Sequence, residues 1–171
     1  FPYLASDVRE PSFLVSGAEV GNSNRFGTFG RLDINLRDAG IDPPWLKNFT
    51  LHADYYSKRG PAGGVTAQYS FGKRNHYHEG EFFGYYVHDE ADTDISGGLI
   101  PDENRAWVDL QHRWQINREW RIDGEVSYLR DAGFLEEYFE EEFEEGKPQE
   151  TLLFARYRDG VLTAATAADV E

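Results

Sequence analysis

The sequence lacks cysteine and methionine entirely, and no segment reaches the ~18 consecutive apolar residues of a transmembrane helix. Without cysteine the chain has no disulfide, no thiolate metal ligand and no cysteine nucleophile. Basic residues are also few, since 17 Lys and Arg stand against 31 Asp and Glu and give a formal net charge of −14. Because phosphate binding requires a basic surface, this balance argues against a nucleic-acid partner.

Aromatic residues make up 15% of the chain, and it contains 17 glycines. This composition favours strands and tight turns. The length of 171 residues suits a single domain over residues 1–171. Apolar and polar residues alternate with period two, as in strands that have one apolar and one polar face. This pattern predicts strands at 28–36, 49–56, 65–71, 79–88, 106–116 and 120–128, with weaker strands at 151–158 and 161–167.

The predicted strands are long for a soluble sheet and fit a membrane. Several reach the ~9–11 residues that a tilted transmembrane strand needs, against about 5–6 in ordinary sheets. The connections after the fourth strand alternate between long and short, as in outer-membrane barrels. We therefore predict an all-β fold, an antiparallel transmembrane β-barrel segment of about eight strands.

Trp114 and Trp120 flank the short turn Asn117-Arg118-Glu119 on the apolar faces of their strands. Tyr128 lies on the same face, and the three are candidates for an interfacial aromatic girdle. An ordinary cross-strand aromatic pair is the alternative interpretation of the two tryptophans.

One helix is predicted, near residues 132–145. Its apolar residues recur at helical spacing, and Gly146 and Pro148 end it. These residues are Leu135, Tyr138, Phe139 and Phe143. A short amphipathic helix in a long loop packs against the domain or serves as a lid or membrane-edge element.

We predict no metal site, and His76 and His78, which share one strand face, are the best candidates for one. The many glutamates of 136–145 are typical of a solvated helix face. Neither a Gly-x-Ser-x-Gly elbow nor a phosphate-binding loop is present. We expect no cofactor, no catalytic residue and no enzymatic activity.

Four arginines occupy the polar faces of predicted strands: Arg31, Arg105, Arg113 and Arg121. In a barrel they would line the lumen and meet the phosphates of a lipid. The alternative is ion pairing across strands with Asp33, Asp109 and Asp123.

A series of short elements based on glycine and aromatic residues runs along nearly the whole chain. The series is Pro2-Tyr3-Leu4, Ser16-Gly17, Gly21-Asn22-Ser23, Phe26-Gly27, Arg59-Gly60, Gly64, Tyr69, Gly80, Gly84-Tyr85-Tyr86, His88-Asp89, Asn104-Arg105-Ala106-Trp107, His112, Trp114, Trp120-Arg121, Asp131, Phe134-Leu135 and Tyr138-Phe139. In this order the elements resemble the first barrel strands of the lipopolysaccharide-assembly outer-membrane proteins of the LptD family, also called organic solvent tolerance proteins. The family has Ser-Asp where this chain has Arg130-Asp131.

The resemblance implies a place in the outer membrane of a Gram-negative cell. The family joins a periplasmic jelly-roll to a very large barrel, which is plugged by a lipoprotein of the LptE type. With the other Lpt components it delivers lipopolysaccharide to the outer leaflet. Lipopolysaccharide or another outer-membrane lipid, the plug lipoprotein and the membrane are thus the expected partners. About eight strands cannot make that barrel, so we expect the chain to be part of a larger barrel. The family's disulfide cysteines have no counterpart here.

Two other interpretations remain open. One is a small closed eight-strand outer-membrane barrel with a structural or adhesive role. The other is a soluble β-barrel or sandwich that binds a ligand. An unpaired edge strand at 161–167 would indicate an incomplete barrel. It would therefore favour part of a larger barrel over the small closed barrel.

Overall fold

The computed structural model describes residues 14–94, 97–100, 102–131, 133–140, 143 and 151–159, and the backbone of 163–169. It contains strands β1 (Val15–Ser23), β2 (Gly27–Asn35), β3 (Leu46–Tyr56), β4 (Gly60–Lys73), β5 (His76–His88), β6 (Asn104–Gln115), β7 (Trp120–Leu129), β8 (Leu152–Arg158) and β9 (Thr163–Asp169). The helix α1 (Gly133–Tyr138) lies between β7 and β8. No helix of the described residues is long and apolar enough to cross a membrane.

The strands form one nine-stranded sheet in the order of the sequence, and every neighbouring pair is antiparallel. The prediction of an all-β antiparallel fold with one short helix is confirmed, with nine strands in place of about eight. Within the described residues, β1 pairs only with β2 and β9 only with β8, so the sheet is open.

The additional strand is β1, whose pattern is interrupted by a bulge. The register with β2 shifts between Val15 and Gly17, so that Ser16 is an extra residue. A bulge moves the following side chains to the opposite face relative to a regular strand. Val15, Ala18 and Val20 therefore share a face although their spacing is not strictly two. This broken alternation is the reason that the period-two pattern did not reveal β1.

β4 also begins earlier than predicted, at Gly60 in place of residue 65. Gly60 has a positive φ of 99°, and a Cβ there would lie 2.5 Å from the carbonyl oxygen of His88. The chain passes this closely to β5 only because residue 60 has no side chain. Glycine and proline at the start of β4 weaken the strand signal in the sequence.

The register sorts the side chains into two faces, because directly paired residues in antiparallel strands point to the same side. The polar face is rich in charged and amide side chains: Glu19, Arg31, Asp33, Asn35, Asn48, His52, Asp54, Gln68, Glu79, Glu81, Arg105, Asp109, Gln111, Arg113, Arg121, Asp123 and Glu125. The apolar face carries, among others, Val20, Leu32, Ile34, Leu51, Val65, Phe82, Val108, Leu110, Ile122, Val126 and Leu153. No Asp, Glu or Arg lies on the apolar face among the paired residues of β1 to β8.

The apolar face is the more exposed of the two. Large side chains that are at least two-fifths exposed on this face include Val20, Leu51, Tyr55, Phe71, Tyr86, Trp120, Val126, Tyr128 and Leu153. The buried side chains on the sheet lie mainly on the polar face, as do Phe29, Tyr56, Tyr85, Val87 and Trp107. This distribution is the reverse of a soluble half-buried sheet, in which the polar face meets water.

The two ends of the sheet differ. At one, the loop end, lie the connections from β1 to β2, from β3 to β4, from β5 to β6 and from β7 to β8. At the other, the turn end, lie residues 36–45, 74–75 and 116–119 and the connection from β8 to β9. The two longest connections thus share the loop end, and one of them carries α1. The predicted Asp159-Gly160 turn includes Gly160, which is outside the described residues.

Helix α1 covers the loop end of the polar face. Phe134 and Leu135 join Tyr85, Val87 and Trp107 in the main buried cluster, with Phe139 against it. The helix was predicted over 132–145 and is assigned as Gly133–Tyr138. Helical hydrogen bonds continue beyond it, from Phe139 N to the Leu135 oxygen and from Phe143 N to the Phe139 oxygen. Ala132, Gly146 and Pro148 lie outside the described residues.

Replacing Phe134 with alanine tests the packing of α1. Phe134 is fully buried, so Phe134→Ala should lower the free energy of unfolding by about 3–5 kcal/mol in urea titrations of the folded chain. Phe143→Ala is the control, because that ring is 48% exposed and should cost less than about 1 kcal/mol. Equal effects of the two substitutions would contradict the placement of α1 on the polar face.

Candidate functional site

The loop end of the polar face holds a buried ionic cluster centred on Arg105, the second residue of β6. Its Nε and Nη2 donate to the two carboxylate oxygens of Asp131, at 3.0 and 2.7 Å. Its Nη1 donates to Asp89 at 2.9 Å and to Glu137 at 2.5 Å. The Arg105 side chain is 1% exposed, and those of Asp89 and Glu137 are 0% exposed. Planar, bidentate pairing of this kind suits arginine and not lysine.

A second arginine, Arg59, completes the ionic cluster, which we define as Arg59, Asp89, Arg105, Asp131 and Glu137. Arg59 forms an ion pair with Glu137, lies 3.5 Å from Asp89, and donates to the carbonyl oxygen of Thr93 at 2.8 Å. The cluster joins four places on the chain: the β3–β4 turn, the β5–β6 loop, the start of β6 and the β7–β8 loop.

Neighbouring groups hold α1 against this cluster. Tyr138 donates its hydroxyl to Asp89 at 2.9 Å, and Arg25 of the β1–β2 turn donates to the backbone oxygen of Glu137 at 2.7 Å. Burial raises the pKa of Glu137, whereas its hydrogen bond to Arg105 and the charge of Arg59 act to lower it. Burial and the charge of Asp89 raise the pKa of Tyr138, which keeps the phenol protonated.

Below α1 a cavity of about 430 Å³ opens on the polar face. Asp54 accepts hydrogen bonds from Tyr85 and, at 3.3 Å, from Tyr56, and the two hydroxyl oxygens lie 3.1 Å apart. Arg31 donates from Nε to the Tyr56 hydroxyl at 3.2 Å and pairs with Glu19 at 3.3 Å. The cavity is thus lined by aromatic rings and paired charged groups, while the second oxygen of Asp54, Oδ1, is buried with no hydrogen-bond partner among the described residues.

A second cavity, of about 490 Å³, lies further toward the turn end. Arg113 donates from Nε to Asp123 at 2.6 Å and from Nη1 to Glu79 at 3.0 Å. Arg121 lies 2.7 Å from the other oxygen of Asp123. Glu81 and Glu125 also line the cavity, so its walls carry both signs of charge with an excess of carboxylates.

All four candidate arginines lie on the polar face, in different surroundings. Arg113 and Arg121 pair with Asp123, one of the three aspartates considered as partners. Arg31 pairs with Glu19 and not with Asp33, which instead contacts His52 at 2.7 Å. The hydrogen bonds of Arg105 are all made inside the protein. Lipid contact remains a hypothesis for the three arginines other than Arg105.

The buried roles of Asp89 and Glu137 were not identified from the sequence. Glu137 lies within a run of glutamates that the sequence assigns to a solvated helix face. Its helical position three residues after the buried Phe134 was the available signal, because residues three apart lie on the same face of a helix.

The apolar face carries aromatic side chains near both ends of the sheet. At the turn end Trp120 packs on Tyr157, with ring centroids 4.8 Å apart, and Trp114 stacks on His78 at 5.3 Å. At the loop end lie Tyr55, Tyr86 and Tyr128, which are 46–58% exposed. The segment of β7 from Trp120 to Tyr128 falls within the ~9–11 residues of a tilted membrane strand.

His76 and His78 share the apolar face, with ring centroids 5.8 Å apart, and His78 also contacts His112. His76 hydrogen-bonds through Nδ1 to the carbonyl oxygen of Ile116 at 2.9 Å. Over the part of the chain that the structure describes, no group of three or more His, Cys, Asp or Glu side chains is arranged to hold a metal ion.

Comparison of the sequence with models of known protein families and with curated proteins finds no match.

Replacing Arg105 tests the ionic cluster. Arg105→Met leaves Asp89, Asp131 and Glu137 without their main cation, so the free energy of unfolding should fall by about 3–5 kcal/mol. Arg113→Met is the control, because the Arg113 side chain is 42% exposed and its loss should cost about 0–1 kcal/mol. Urea titrations of the folded variants measure both.

Neutralising one acid provides a second check on the same cluster. Asp131→Asn, added to Arg105→Met, should recover part of the lost stability, because it removes the carboxylate that has lost its cation, while Asp89 and Glu137 still pair with Arg59. A further loss in the double variant would show that Asp131 does not depend on Arg105.

Proposed function

We propose that the sheet is a segment of an outer-membrane β-barrel, with its apolar face toward lipid and its polar face toward the lumen. One observation carries this proposal: the apolar face is broadly exposed, and its paired residues in β1 to β8 include no Asp, Glu or Arg. In water such a face is a large surface prone to aggregation, whereas in a bilayer it contacts the lipid acyl chains.

Strand length and the aromatic bands support the same orientation. β3 to β7 contain 10 to 14 residues each, and aromatic side chains lie near both ends of the apolar face. In outer-membrane barrels the short turns face the periplasm and the long loops face outward. We accordingly assign the turn end to the periplasm and the loop end, with α1, to the cell exterior.

For the biological role we propose lipopolysaccharide transport or assembly of the LptD kind, with a plug lipoprotein of the LptE type and other Lpt components as partners. The support is the location of the residues on which the resemblance rests. Arg59, Asp89, Arg105 and Asp131 meet in the ionic cluster, and the Phe134-Leu135 and Tyr138-Phe139 pairs pack beside it. Transport of this kind requires no catalytic residue.

The open sheet favours this proposal over a small closed barrel. A closed barrel of eight or nine strands would pair its first and last strands, and β1 and β9 do not pair within the described residues. Further strands would complete a larger barrel. The exposed apolar face weighs against a soluble ligand-binding domain, which would bury that face in its core.

A charge placed on either face tests the lipid orientation. Val126→Arg puts a cation on the exposed apolar face, and in a bilayer it should lower the free energy of unfolding by about 2–4 kcal/mol. Gln111→Arg is the matched control on the polar face, where Glu81 and Glu125 lie directly opposite, and it should have little effect.

The measurement is urea unfolding after refolding into phosphatidylcholine vesicles, with the heat-dependent gel shift as the sign of a folded barrel. A chain that folds equally well without lipid, and in which Val126→Arg is harmless, would refute the membrane proposal.

Replacing two arginines of the polar face tests whether the chain binds lipopolysaccharide there. Arg113→Gln combined with Arg121→Gln should reduce the retention of radiolabelled lipopolysaccharide by the immobilised, refolded chain about tenfold, because charged hydrogen bonds to phosphate are lost. Arg37→Gln, in the β2–β3 loop, is the control. Unchanged retention in the double variant would exclude these arginines as lipid contacts.

A further inference from the structure

Three side chains from neighbouring strands form a hydrogen-bonded chain on the apolar face. The Tyr69 hydroxyl lies 2.6 Å from His112 Nδ1, and His112 Nε2 lies 3.3 Å from His78 Nδ1. The rings also stack, since His112 lies against Tyr69 and His78 lies between Phe71 and Trp114. These contacts fix polar groups on a face that is otherwise apolar.

Gly80 allows the chain to cross β5. It lies directly between Tyr69 of β4 and His112 of β6 in the register. A Cβ at this position would come within 2.5 Å of the Tyr69 hydroxyl oxygen. The missing side chain therefore opens the path by which Tyr69 reaches His112.

A proton on His78 orients every bond in this chain. Protonated His78 donates from Nδ1 to His112 Nε2, and neutral His112 then donates from Nδ1 to the Tyr69 oxygen. The Nε2–H of His78, at one end of the chain, remains for an external acceptor. His78 Nε2 has no hydrogen-bond partner among the described residues.

The surroundings supply further positive charge and no acid. The titratable groups of the apolar face around the two histidines are Tyr69 and Lys73 of β4 and His76 of β5. β7 contributes Ile122 and Gly124, and Arg74 lies in the adjoining β4–β5 turn. A protonated imidazole here has no carboxylate on its own face to balance it.

The depth of His78 in the proposed membrane indicates which anion balances the charge of the protonated imidazole. His78 is paired directly with Trp114, close to the turn end, where tryptophan in a membrane protein lies at the headgroup region. The acceptor available at that depth is the phosphate of a lipid headgroup.

We propose that His78, held in place by His112 and Tyr69, binds the phosphate of an anionic phospholipid through its Nε2–H, and binds it more tightly when His78 is protonated. This inference rests on the proposed membrane orientation, and it adds a lipid site on the outside of the barrel, separate from the lumen.

The test uses the refolded chain in vesicles of phosphatidylcholine and phosphatidylglycerol. Native mass spectrometry measures the ratio of the two lipids retained at about pH 4.5 and about pH 8, the lower value lying well below the ordinary imidazole pKa of about 6.5 so that His78 is protonated there. The wild-type chain should be enriched in phosphatidylglycerol about five-fold at the lower pH, as expected for one added charge at a membrane surface.

The double variant His78→Gln with His112→Gln should lose this enrichment. His88→Gln, on the same face at the loop end and bonded to Asn104, should keep it. If the double variant does not fold, His78→Gln alone retains the bond between Tyr69 and His112 and should show the same loss. Enrichment that persists in the folded variants would overturn the proposal.

Two further results separate the possibilities. A wild-type chain that folds in vesicles, by the heat-dependent gel shift, but shows no enrichment would overturn this site and leave the membrane proposal standing. A chain that does not enter vesicles would overturn both. Added inorganic phosphate should leave the enrichment unchanged, and displacement of the lipid would assign the site to free phosphate.

Discussion

The contact between Arg105 and its three carboxylates is the interaction on which the loop end depends. It joins loops that are distant in sequence, and it is shielded from bulk solvent, since the side chains of Arg105, Asp89 and Glu137 are almost fully buried. Buried charges are costly unless each one has a partner. The precise orientation of the loops therefore follows from the need to pair these charges, and the aromatic packing of Phe134 then forms around it.

The sheet has an unusual distribution of polarity. Its polar face is partly covered by α1 and holds two cavities, while its apolar face is exposed. The separation of the two faces follows from alternation along long strands, because successive side chains of a strand point to opposite sides of the sheet. Lys73, His76, His78 and His112 are polar exceptions near the turn end of that face.

Much of the sheet could be predicted from local patterns alone. Strands β2, β3 and β5 to β8 each contain several alternating residues, so their positions followed from period two, and the four arginines lie on the face that alternation assigns to them. β1 did not follow, because the extra residue Ser16 breaks the period. The partners of Arg105 did not follow either, because Asp89 and Glu137 come from separate loops. Periodicity determines a face, whereas a buried ionic cluster depends on tertiary contacts.

The order of the strands has a consequence for folding kinetics. Every strand pairs with its neighbour in sequence, so the sheet can grow by successive hairpins without closing a long loop. The ionic cluster is different, since Arg59 and Glu137 are separated by four strands along the chain. Contacts of this kind form late, after the hairpins that bring them together. The cluster therefore acts chiefly on the rate at which the folded chain opens, and little on the rate at which the sheet assembles.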